Sequence, residues 1–384
     1  MKKEYNALVN LILLFFIPSM LQNFPVVGLV PQAIGGIIVL ICILILIKKI
    51  TVKKFIIIFY MGGILITTIL YSDNLSLNLK DSIYFISFIL LGMVVSEKNF
   101  MMNLKEILNK KVKTIKFNVI VGNLILILGL ISPSAYFYEW GEGATYFSGF
   151  TYMPHVVAAL CIMLILFTII YIKYEHKSHK YYAMLIIPIY CILKTGARAY
   201  LIPLFIISLL ILIRELGALK TSVLGLISSP ILISLFMKTS MFKKFIMLLN
   251  FEQDFSMLHK LTSGRSEMWS GLIYHYTSKY NFLEKVMGRS FDNIYQINYM
   301  YSGMDVWAHN DVINLLLTTG IVGVIIYLNS FFCFYKISRF FKVTNVVKFG
   351  YIISFLFLAL INGLYVQMAI VFCLPLYWIA FSKE

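Results

Sequence analysis

Charge is scarce in this sequence. Asp, Glu, Lys and Arg make up 13% of its 384 residues, about half the share found in soluble domains. That scarcity excludes an ordinary water-soluble globule. Cysteine is sparse as well: Cys42, Cys161, Cys191, Cys333 and Cys373 all fall inside or at the edge of apolar runs. None has a metal-ligand or redox spacing, so they read as small core hydrophobes. The chain lacks HExxH, DxD and the carboxylate pair of metal-dependent transferases, so neither a metal nor another cofactor is expected. It also lacks a P-loop and a GxGxxG, which removes the sequence reason to expect a nucleotide. No internal or inverted repeat of the transporter kind is visible.

What the chain has is apolar sequence, 60% of it. The expected fold class is an all-α integral membrane protein, a single polytopic domain over 1–384. About twelve stretches suit membrane spans, at 7–22, 26–47, 54–71, 82–97, 115–132, 153–173, 181–194, 200–214, 220–237, 310–336, 346–362 and 365–381. The first is not read as a cleaved signal, because no small-residue cleavage site follows it. Lys and Arg exceed Asp and Glu by 33 − 17 = 16. In a membrane protein this surplus holds loops in the cytoplasm rather than binding nucleic acid. The basic loops alternate along the chain: the N-terminus, KKITVKK, 98–114, 173–180, 214–220 and 336–348. Both termini are therefore expected in the cytoplasm.

The other loops are expected outside. They are SDNLSLNLKD (72–81), the acidic and aromatic 133–153, the turn 194–198 and the long 238–309 between the ninth and tenth spans. The long loop far exceeds an ordinary connection, which marks it as functional. Its amphipathic FKKFIMLL and SEMWSGLIYHY should form short helices on the outer membrane face. The aromatics Tyr136, Phe137, Tyr138, Trp140, Tyr146, Phe147, Phe150 and Tyr152 suit an interfacial belt or sugar stacking, the belt better for most of them.

Chemistry concentrates at Trp307-Ala308-His309-Asn310-Asp311, where the long loop ends and an apolar helix begins. Asn310 suits an N-cap, with Asp311 in the first turn. His309 reads either as an interfacial histidine without a task or as a general base. The helix N-terminus should help keep its ring neutral. Arg198, after Gly196, heads a span either as a snorkelling anchor or as an anion ligand. It lies on the outer side, where the charge bias does not call for it. Arg265 opens a helix after Gly264, either as a solvated charge near Glu267 or as a forked phosphate clamp. Of the other histidines, His155 follows Pro154 at the start of a span and is a candidate neighbour of the site. His176 and His179 fall in a basic loop, His259 and His275 in amphipathic stretches.

Together KTGARAYLIPL, then TSGRSEMWSGL with VMGRSF, then AHNDVINLLLTTGIVGVIIYL resemble the O-antigen ligase / Wzy-type polysaccharide polymerase superfamily over roughly 145–340. SGFTYMPHVVAALCIML is similar to the family's Gly-Phe…Pro-Asn segment, with His155 where Asn is common. Ala197 stands where Ser is usual before the first Arg. The resemblance implies a GT-C-like, metal-independent glycosyltransferase of the bacterial cytoplasmic membrane. It would move a growing glycan from undecaprenyl pyrophosphate to another lipid-linked repeat unit, for capsule, exopolysaccharide or O-antigen. Arg198 and Arg265 would neutralise the pyrophosphate, and His309 would deprotonate or orient the acceptor hydroxyl. Asn310, Gly264, Trp269, Gly320 and Gly323 would shape the site, with His155 and Lys194 as further substrate contacts. Implied partners are the lipid-linked oligosaccharide, membrane lipid, a flippase and a chain-length regulator. A ligase delivering glycan to lipid A core would share these motifs. A flippase or transporter is the alternative of another class, but nearly charge-free spans with polar residues on one face fit an interfacial enzyme better. A membrane scaffold is the bland alternative.

Overall fold

The computed structural model describes residues 2–48, 50–138, 145–175, 179–239, 242–243, 246 and 265–383. Helix covers every stretch in which a span was expected. The first half contains α1 (Lys2–Met20), α2 (Pro25–Gly28), α3 (Val30–Ile47), α4 (Val52–Tyr71), α5 (Leu75–Val95), α6 (Lys98–Lys110) and α7 (Val112–Ile131). A hairpin of β1 (Tyr136–Tyr138) and β2 (Thr145–Phe147) follows, then α8 (Pro154–Glu175), α9 (Ile186–Lys194), α10 (Leu201–Leu216) and α11 (Ala218–Met237). The rest comprises α12 (Arg265–Ser278), α13 (Phe282–Met287), α14 (Asn293–Ser302), α15 (Asp311–Thr318), α16 (Gly320–Lys336), α17 (Asn345–Ile361) and α18 (Met368–Phe381). Among the described residues, six helical stretches are long and apolar enough to cross a membrane: 25–47, 75–95, 112–131, 154–175, 198–216 and 320–340.

Short polar side chains set several helix starts. Thr51 Oγ1, Asn74 Oδ1 and Thr344 Oγ1 accept from the backbone N–H three residues on, at 3.2–3.4 Å. Helices α8 and α18 are apolar around their whole circumference and nearly all their residues are buried, as a central pair must be. They pack on each other, and α7 and α9 pack on α8.

The loops sort to the two ends of this bundle. At one end Lys48 pairs with Glu4, Lys54 with Glu97 at 2.6 Å, and Lys173 Nζ caps α18 through Ile379 O and Ser382 O at 2.8 and 2.7 Å. At the other end Asn23 N donates to Phe150 O at 3.0 Å, and residues 72–74 bond Asp292.

Three details differ from the sequence reading. Residues 98–114 are not a loop: α6 buries Phe100, Met101, Leu104, Ile107 and Leu108 on one face. The expected span 310–336 is broken at Thr319–Gly320 into α15 and α16. The aromatic loop 133–153 is partly a hairpin whose Tyr146 and Phe147 are buried, so these two belong to the core and not to a sugar platform. Phe137 and Tyr152 stay exposed, and Trp140 lies outside the described residues.

Candidate functional site

Helices α12, α13 and α14 form a cap over one end of the bundle. It has a small core of its own, in which Met268 and Leu272 of α12 meet Ile294 and Ile297 of α14, with Ala308 and Ile313. Asp292 clasps this cap to the start of α5. Its Oδ2 accepts from Ser72 Oγ (2.9 Å), Asp73 N (2.8 Å) and Asn74 N (3.0 Å), and its Oδ1 from Ser290 Oγ (2.5 Å) and Asn78 Nδ2 (3.2 Å). Burial alone would raise this carboxyl's pKa; the donors outweigh it and hold the group below its usual range.

The cap also fixes the 306–310 segment. Asn298 Nδ2 donates to Val306 O at 2.5 Å, and Trp269 Nε1 to Ala308 O at 2.7 Å. Asn310 Oδ1 then caps α15, accepting from Ile313 N at 3.1 Å. Between these anchors His309 adopts φ +52, the one positive value among the described non-glycine residues. That conformation is uncommon for a residue with a Cβ and is kept only where the surroundings impose it. The Trp307 ring lies 4.8 Å from the imidazole. Behind it a Cβ on Gly363 would sit 2.0 Å from the Trp307 ring, so only glycine fits there.

Three residues singled out in the sequence converge here. Arg265, on α12, donates from Nη1 to Ile361 O at the end of α17. His155, in the first turn of α8, has its ring 6.5 Å from that of Tyr200. His309 feels both: burial first, then the Arg265 guanidinium, then His155 hold its imidazole well below the usual histidine range. The ring is half-buried by area, but its Nδ1 is sealed from solvent and has no hydrogen-bond partner. The helix N-terminus, to which the sequence pointed for this effect, is not the leading cause. Desolvation is, because a charged ring loses its water on burial.

The remaining candidates are less tightly joined. Arg198 opens the 3-10 turn 198–200, which packs on α17 and brings Tyr200 beside His155. Lys194 ends α9 with its Nζ 5.6 Å from the Tyr190 ring. Gly264 and His259 lie outside the described residues. Gly323 is buried in α16 and Gly320 opens it. Among the described residues no group of three or more His, Cys, Asp or Glu is arranged to hold a metal.

Two contributors were not singled out for roles in the sequence. Asp311 is fully buried, and its Oδ2 accepts from Tyr327 Oη (2.5 Å), Leu364 N (2.8 Å) and Tyr365 N (3.4 Å). It pins the 361–365 turn whose Ile361 carbonyl receives Arg265. Asn362 in that turn is 1% exposed and its side chain lies against the Tyr200 hydroxyl. Comparison with protein-family models, with curated proteins and with solved structures found no match.

Proposed function

We propose that this chain is a membrane glycosyltransferase that polymerises lipid-linked glycan on the outer face of the bacterial cytoplasmic membrane. The observation that carries the reading is His309. It is a histidine whose pKa is lowered by burial, on a strained backbone, with an unpartnered buried nitrogen, beside Arg265 at one end of an apolar helix bundle. The helices covering all twelve apolar stretches would then cross the bilayer, with both termini and the basic loops in the cytoplasm. The α12–α14 cap would stand outside, over the headgroup region.

The donor is a glycan joined through its anomeric carbon to undecaprenyl pyrophosphate. The acceptor is a hydroxyl of a second lipid-linked repeat unit. As the acceptor oxygen bonds to the anomeric carbon, His309 takes the hydroxyl proton. The bond from that carbon to the pyrophosphate oxygen breaks, and the electron pair leaves with the pyrophosphate. Arg265 and Arg198 match the charge that develops there; fixed cations in a low-dielectric site are suited to this. The His309 proton passes afterwards to the leaving group or to water. Trp269 and Asn310 hold the 308–310 segment in register, and His155 and Lys194 contact the glycan or its phosphates.

Purified protein is incubated in detergent with a synthetic undecaprenyl-pyrophosphate repeat unit, with and without EDTA. A ladder of products in both samples is the expected result. Transfer only to added lipid A core would make the chain a ligase. Absence of product from folded protein would favour the transporter class.

A further inference from the structure

A cavity of about 680 Å3 opens far from His309, at the other end of the same helices. Helix α8 carries His155 in its first turn and Ile172 and Lys173, which line the cavity, in its last. At the α-helical rise these two ends are roughly 25 Å apart. Helix α17 runs the opposite way between the same two ends, with Ile361 at the Arg265 end and Thr344 and Val346 in the cavity wall. On the membrane orientation proposed above, the cavity would sit at the opposite interface, at headgroup depth.

Its lining divides into two parts. Leu210, Ile213, Val346, Val347 and Phe381 make an apolar wall. At the polar side Lys173, Arg214 and Lys383 face, among the described residues, the carboxylate of Glu215. Arg214 is engaged with Glu215 (2.8 Å), Tyr182 Oη (2.6 Å) and Ala380 O (3.2 Å), and Lys173 caps α18. Their charge stays local while Lys383 remains exposed. The N-terminus of the 17-residue α17 also opens here, capped by Thr344, and adds positive potential. A net-positive rim over an apolar wall at headgroup depth is complementary to an amphiphile with a negative head.

We propose that this cavity binds one anionic phospholipid. Its phosphate would rest between Lys383 and the α17 N-terminus, with an acyl chain against Val346, Ile213 and Leu210. The test uses the full-length protein in detergent and measures its thermal unfolding midpoint. Dioleoylphosphatidylglycerol should raise the midpoint by about 5 °C. Dioleoylphosphatidylcholine or inorganic phosphate at the same concentration should change it by less than about 1 °C. Lys383→Glu removes the net positive charge of these rim residues and Val346→Trp fills the wall, both at exposed positions. Each should keep the lipid-free midpoint and lose at least about half of the shift. The proposal is overturned if phosphatidylglycerol gives no shift or phosphatidylcholine gives an equal one. It is overturned equally if phosphate alone suffices, or if both variants respond as the parent does.

Discussion

Gly288 and Gly320 stand backbone against backbone, where α13 meets the break between α15 and α16. A Cβ on Gly320 would lie 2.3 Å from Val286 O and 2.6 Å from Gly288 N, and one on Gly288 would lie 2.4 Å from Thr318 O. Both have positive φ, +66 and +74. Arg289 N donates to Leu317 O at 3.2 Å across the same contact. The VMGRSF and TTGIVG segments are thus two halves of one joint that seats the cap on the bundle.

Gly320→Ala should therefore destabilise the protein by about 2–4 kcal/mol, from strained φ and overpacking together. Gly303 is the control: its φ is +69 but a Cβ there meets nothing within 4 Å. Gly303→Ala should cost only about 1 kcal/mol. Thermal unfolding in detergent measures both, and equal losses would remove the joint.

The helices were legible because their apolar runs are long and their caps are local. Asn310 as an N-cap follows from neighbouring residues alone. Helix α6 was hidden by its lysines, which read as topogenic charge, although Phe100, Met101, Leu104, Ile107 and Leu108 carry a helical period. The break at Gly320 was only half legible, since 310–336 is a continuous apolar run. Asp292 and Asp311 were not legible as anchors. Their partners are remote in sequence, Ser72 for one and Leu364 for the other, and no local pattern announces such bonds. The convergence of His155, Arg265 and His309 likewise depends on how α8, α12 and the 306–310 segment pack.

The buried carboxylate of Asp311 gives a second expectation. Asp311→Ala leaves the Tyr327 hydroxyl and two backbone N–H groups without their acceptor and should cost about 2–5 kcal/mol. Asp311→Asn keeps an acceptor oxygen and should cost about 1 kcal/mol. Chemical or thermal unfolding of the two variants measures the difference. Similar losses would mean that these three donors do not depend on residue 311.

His309 should also leave a signature in the pH dependence of stability. Burial, Arg265 and His155 lower its folded pKa, whereas an unfolded histidine titrates near about 6.5. Below that pH unfolding takes up a proton, so the contribution is complete above about 6.5 and is lost as pH falls toward the folded value. His309→Asn removes the titrating ring and tolerates positive φ. Its unfolding midpoint should fall less than the parent's between about pH 7 and 5. An identical fall in both proteins would show that His309 is not held neutral by folding.

Sidedness is checked by cysteine labelling in intact cells. The exposed positions Lys279, at the cap, and Asn109, at the basic end, lie at opposite ends of the bundle. An impermeant maleimide should label Lys279→Cys and leave Asn109→Cys unlabelled until the membrane is opened. The reverse pattern would invert the orientation.

The central claim is that His309 handles the acceptor proton while Arg265 holds the pyrophosphate. The most direct test separates donor binding from turnover in His309→Ala and Arg265→Ala. His309→Ala should bind the lipid-linked donor as the parent does and lose about 10²–10⁴ in turnover. Arg265→Ala should lose donor affinity as well as turnover, the latter by roughly a hundred- to a thousandfold. Normal turnover in His309→Ala, or donor binding lost as completely as in Arg265→Ala, would contradict the account.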